Sequence, residues 1–131
     1  MCIRDRLNHT GTHPVHTDLA IANAIDYHNL IGGERKEARL RYIQNYWTSR
    51  VRDLSHVIVN TPKDKHRSCA IANVGVKGIS PADLAKTLLE RYKIWTVAIN
   101  RDGVHGCRIT PNVYTTTDEL DVFVSALKDL A

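Results

Sequence analysis

Residues 104–128, "VHGCRITPNVYTTTDELDVFVSALK", carry two hydrophobic periods in succession. From Cys107 to Thr110 apolar and polar side chains alternate, the period of two that belongs to a strand. Pro111 and Asn112 then stop it, since proline lacks the N–H a ladder needs. A helix is expected from about Thr116, with Glu119 three residues later. Leu120, Phe123, Val124 and Leu127 follow at i, i+3, i+4 and i+7, one apolar stripe. Strand alternation puts Cys107 and Ile109 on one face and Arg108 on the other. A guanidinium is costly to bury unless it is paired. Arg108 thus has three explanations: an intrachain carboxylate partner, an exposed sheet edge, or a ligand carboxylate gripped by two hydrogen bonds.

Outward from this stretch the same two periods organise the chain. A helix is expected at about 17–31, with Thr17 as N-cap, Leu19, Ala22 and Ile25 at helical spacing, and Gly32–Gly33 as the break. The next spans about 34–54, where Leu40, Ile43, Trp47, Val51 and Leu54 make one stripe. Arg35, Lys36, Arg39, Arg41, Arg50 and Arg52 lie largely off that stripe and read as a solvated face. Strands are expected at 57–60, 68–76, 94–99 and 104–110, the last two joined by an Asp102–Gly103 hairpin turn. Between the second and third, Ser80 caps a helix with Pro81 at its first position, Asp83 completing a capping-box pattern, and Leu84, Leu88 and Leu89 buried. The order is helix, helix, strand, strand, helix, strand, strand, helix. It predicts an α+β, two-layer domain: a mostly antiparallel sheet with helices packed on one face.

The chain has 131 residues, 43% of them hydrophobic, and a net charge of +4. That is one domain's worth of core and only a mild basic excess. Glu34, Glu37 and Asp53 dilute the basic helix and Trp47 belongs to its core stripe, so nucleic acid is not expected. No stretch approaches the roughly 18 apolar residues of a membrane span, so no membrane is expected either. Cys2, Cys69 and Cys107 are too few and scattered for a disulfide framework and suit a reducing, cytoplasmic setting. His9, His13 and His16 are separated by Gly11 and Pro14 and read as polar loop residues, with no metal site. His105 and Cys107 share a strand face, but spacing alone does not activate a thiol, and Cys107 reads as a buried structural cysteine. Residues 1–6, "MCIRDR", match the in-frame translation of a sequencing-adapter tag and read as a scar. Residues 7–33 read as a loop and helix leading in from a large domain, and 34–131 as the small domain.

Four stretches, "GTHPVHTDLAIANAIDYH", "ERKEARLRYIQNYW", "CAIANVGV" and "HGCRITPNVYTTTDELD", together resemble the C-terminal part of class V aminotransferase-fold proteins. These are pyridoxal 5′-phosphate enzymes of fold type I, and the isopenicillin N epimerase-like branch is the nearest in pattern. The resemblance implies that Arg108 grips the α-carboxylate of an amino-acid substrate. It implies that Thr12, beside Gly11, reaches the cofactor phosphate of the neighbouring subunit of a homodimer. The Schiff-base lysine and the aspartate that pairs with the cofactor's ring nitrogen would lie upstream of residue 7. No catalytic residue is therefore assigned, and the chain is expected to be a C-terminal fragment inactive alone. Desulfurase-like relatives carry a reactive cysteine on the loop before the arginine. "NRDGVHG" at 100–106 has none, which disfavours sulfur abstraction and leaves aminotransfer, racemisation, epimerisation and lyase chemistry. The alternative is a stand-alone, non-catalytic binding or dimerisation module.

Overall fold

The computed structural model describes residues 15–131. It divides into two units, Met1–Gly33 and Glu34–Ala131. In the first, helix α1 (Val15–Ile31) ends where Gly32 takes a φ of 86° and its amide donates to the His28 carbonyl at 3.0 Å. The helix already contains Val15 and His16, so Thr17 is an interior residue and not the expected N-cap. Asp18 lies in the first turn, where a carboxylate suits the positive end of the helix dipole. Leu19, Ile21, Ile25 and Leu30 of α1 are all exposed.

The second unit contains α2 (Gly33–Val51), β1 (Val57–Val59), β2 (Ala72–Val76), α3 (Pro81–Tyr92), β3 (Val97–Arg101), β4 (Val104–Ile109) and α4 (Thr117–Lys128). The strands form one antiparallel sheet in the order β1-β2-β4-β3. β2 and β3 therefore run parallel, linked through α3, with β4 inserted between them. That insertion makes the arginine strand a central one.

One face of the sheet carries Val57, Ala72, Val74, Val76, Cys107 and Ile109, all buried. Against it pack Ile43, Trp47 and Val51 of α2, Leu84 and Leu88 of α3, and Leu120, Phe123 and Leu127 of α4. Trp47 meets Phe123 edge-on, with ring centroids 5.2 Å apart at 68°. Aromatic pairs favour this geometry because the ring edge is positive and the face negative. The helices thus cover one face, as the sequence pattern predicts. Leu89 is the exception: it is 41% exposed. It lies about 100° around the helix from Leu88, which turns it off a stripe only two leucines wide.

Strand boundaries shift for identifiable reasons. The expected strand at 94–99 lies at 97–101 because α3 ends in a left-handed cap at Lys93, φ 60°. There the amides of Lys93 and Ile94 turn back to the carbonyls of Leu89 and Leu88, and the chain straightens only afterwards. The expected strand at 68–76 begins at Ala72, where pairing with Ile109 starts. The hairpin turn is where it was expected, with Asp102 and Gly103 at φ 53° and 76°, the two positive values of a tight primed turn.

The basic residues of α2 are not simply solvated. Arg39 donates to the carbonyls of Val113 and Thr115, at 3.3 and 2.9 Å. Arg41 donates to those of Lys65 and Ser68, both at 2.7 Å, and Arg52 to that of Thr61 at 2.8 Å. Two guanidiniums of α2, and Arg52 in the turn just after it, thereby hold two irregular connections in place.

The start of α4 is closed by a reciprocal box. The Glu119 amide donates to Thr116 Oγ1 at 3.2 Å, and the Thr116 amide donates to Glu119 Oε2 at 2.8 Å. The Thr116 backbone amide, and then its hydroxyl, hold the Glu119 carboxyl below its usual pKa. Thr116→Ala should cost about 1 kcal/mol, read as a lower urea midpoint at pH 7. Because the folded carboxyl has the lower pKa, its contribution is present above the unfolded value, near 4.3. It is lost as the pH falls through the folded value. The deficit of the variant should therefore narrow in acid; a deficit that grows below pH 4 contradicts the box.

Candidate functional site

Arg108 sits one residue before the end of β4, opposite Asn73 of β2 on one side and Val97 of β3 on the other. Its neighbours Cys107 and Ile109 are 0% and 8% exposed on the helix-covered face. The guanidinium therefore stands on the open face of the sheet, where Arg108 is exposed. A central strand removes the sheet-edge explanation. Among the described residues Arg108 also has no hydrogen bond and no ion pair. The intrachain-carboxylate explanation goes with it.

The arginine lines a shallow cavity of about 410 Å³ whose wall includes Thr61, Asn73, Ile99, Arg101 and Val104. Two glycines allow β2 and β4 close contact beside the lining residue Asn73. A Cβ on Gly106 would fall 2.6 Å from Asn73 Oδ1 and against the Val74 carbonyl. A Cβ on Gly75 would fall 2.7 Å from the His105 carbonyl. With both positions bare, the Asn73 amide can lie across the sheet. Asn60 Nδ2 donates to Asn73 Oδ1 at 2.6 Å and to the His105 carbonyl at 3.1 Å. The Asn73 backbone amide donates to Thr61 Oγ1 at 2.8 Å. Asn73 lines the cavity together with Arg108, its side-chain oxygen held by Asn60. Asn60 and Asn73 were not singled out in the sequence. Asparagine is uncommon inside a strand, and "NVG" holds one at an open-face position. Only the pairing of β2 with β4 brings it beside the arginine.

The other candidate residues separate cleanly. Cys107 is fully buried and its Sγ donates to the Pro81 carbonyl at 3.5 Å. Burial pushes its pKa up, with a smaller opposing effect from Thr96, the reverse of an activated thiol. His105 is exposed at the hairpin, its Nδ1 2.5 Å from Asn100 Oδ1. His16 lies exposed in α1, and no group of three potential metal ligands occurs among the described residues. No helix of the described residues is long and apolar enough to cross a membrane. Gly11, Thr12, His9 and His13 lie outside the described residues. A second cleft of about 400 Å³ opens between the end of α3 and the start of α4, beside Trp95 and Pro111. It holds Glu119 as well as Lys93, so it offers an anion no comparable grip.

The family model for class V aminotransferases matches residues 4–123. The chain belongs to the class V aminotransferase family. The crystal structure of alanine–glyoxylate aminotransferase from Nostoc sp. superposes with a TM-score of 0.70 at 16% identity, over 92% of this chain. At that identity the likeness is one of fold. This chain spans 32% of that protein's length. No curated protein sequence matches the chain.

The family implies pyridoxal 5′-phosphate as its cofactor. That aldehyde is anchored through a lysine. All seven lysines of the chain are among the described residues, and none lines the Arg108 cavity. The residues of this cavity offer cations that can meet an anion and no lysine to anchor the cofactor.

The close approach of β2 and β4 at Gly106 is open to test. Gly106→Ala must push a methyl group into the backbone of β2, and overpacking of this kind costs about 1–3 kcal/mol. Urea unfolding should show a lower midpoint with an unchanged slope. A variant as stable as the parent would mean that the two strands are not in this close contact.

Proposed function

We propose that this chain is the small-domain part of a pyridoxal-phosphate-dependent class V enzyme acting on an amino acid or a related amine. In this reading it supplies the group that holds the substrate's α-carboxylate. The observation that carries it is Arg108: an unpaired guanidinium on a central strand, in the wall of a cavity that Asn73 also lines. A planar guanidinium grips a carboxylate with two parallel hydrogen bonds. The grip fixes where the Cα bonds point, and correct orientation is a large part of the barrier lowering available to an enzyme.

The lysine that anchors the cofactor would then come from polypeptide outside this chain. Gly11 and Thr12 would serve the cofactor phosphate of the neighbouring subunit in a homodimer, since glycine permits close approach and a hydroxyl can donate. Within the family the sequence motifs favour the epimerase-like branch, and the buried state of Cys107 argues against sulfur abstraction.

The test is Arg108→Lys in the intact enzyme carrying its cofactor. Lysine keeps the charge and loses the fork. Losing one charge-assisted bond costs about 1.5–3 kcal/mol, roughly ten- to more than hundredfold in kcat/KM for an α-amino acid. Cofactor absorbance should be unchanged. Unaltered kinetics, or activity and cofactor lost together, would remove Arg108 from the substrate site.

A further inference from the structure

We infer that the Arg108 cavity selects an amino acid with a second carboxylate in its side chain, and that Arg101 is the residue that reads it. The inference rests on the reading of Arg108 as the α-carboxylate grip. Arg101 ends β3 and pairs with Val104, while Arg108 lies four residues further along β4. At about 3.3 Å per residue the two backbone positions are about 13 Å apart. Both side chains nonetheless line one cavity, with Ile99 also in its wall. By strand alternation Ile99 and Arg101 share the open face with Arg108. The two cations thus stem from backbone positions about 13 Å apart in the lining of one cavity, with Ile99 between them. A ligand with two anionic ends joined by a short apolar chain fits that order.

Charge points the same way. Asp102 is the one acidic side chain in the cavity wall, and its carboxylate is 3.8 Å from Arg101 Nε. Arg101 and Asp102 are 82% and 89% exposed, so this ion pair is weak and readily exchanged for a ligand. Two guanidiniums against one carboxylate leave the cavity with a single net positive charge. An ordinary α-amino acid is neutral overall; one with a side-chain carboxylate carries a single net negative charge. The primed turn at Asp102–Gly103 fixes the end of the ladder, so Arg101 is held at a defined place rather than on a loose loop.

The test uses the 131-residue chain, isotope-labelled, with arginine Nε–H signals followed by NMR at low salt. The probes are glutarate, with two carboxylates, and butyrate, with one. Glutarate should bind about fivefold more tightly, the value of one exposed charge pair, and should move the signals of both Arg101 and Arg108. Butyrate should move Arg108 alone. Arg101→Gln should reduce glutarate to the level of butyrate, while Arg91→Gln, a surface substitution on α3, should leave the preference intact. Equal affinities with Arg108 still responding would overturn the inference and leave the carboxylate grip standing. A preference that survives Arg101→Gln, or vanishes equally in Arg91→Gln, would reduce it to general attraction for charge and overturn it too. No response of Arg108 to either probe would sink the grip and the inference together.

Discussion

Everything in this fold follows from the insertion of β4 between β2 and β3. A central strand has both edges bonded, so its side chains have only two directions available. Cys107 and Ile109 take the direction of the helices, where apolar surface leaves water. Arg108 is left with the other. Its orientation is thereby set by its two neighbours, and it requires no ion partner of its own. Turning it inward would slip the register by one residue and carry Cys107 and Ile109 into solvent. A functional side chain held in this way is preorganised by the core rather than by a loop.

The charge of the chain is put to a similar internal use. Arg39, Arg41 and Arg52 look like a basic surface when the sequence is read along α2. In the fold each is turned onto backbone carbonyls of the 61–68 connection or the 113–115 turn. Long cationic side chains suit this work because the guanidinium offers five donors in a fixed plane. Arg52 bears directly on the site: it holds the Thr61 carbonyl, and Thr61 in turn receives the amide of Asn73. The turn that follows α2 thus steadies the wall of the cavity.

Much of this was legible in the sequence, and the parts that were not share a cause. The elements, the α+β class, the hairpin turn at Asp102–Gly103 and the cap at Thr116 are written in local periods and local side-chain chemistry. So was the division of Cys107 from Arg108, which needs only alternation. What local patterns do not contain is register. Nothing in "VNTPKDKHRSCAIANVGV" says that Asn73 faces Arg108, or that Gly106 must be bare so that Asn73 can lie across it. Thr17 and Leu89 were misplaced for a related reason: periodicity locates a helix better than it locates its first residue or the width of its buried stripe. The Gly11–Thr12 pair falls outside the described residues, and its role stays with the proposal.

The account stands on one geometric claim, that the fork of Arg108 meets a carboxylate in the open-face cavity. The most direct measurement is a crystal structure of the enzyme containing this chain, with a non-reacting α-methyl amino acid bound. The expected result is a carboxylate paired side-on to the Arg108 guanidinium through two contacts of about 2.7–2.9 Å, with the Asn73 amide alongside. A carboxylate held by any other cation, with Arg108 still solvated on the open face, would contradict it.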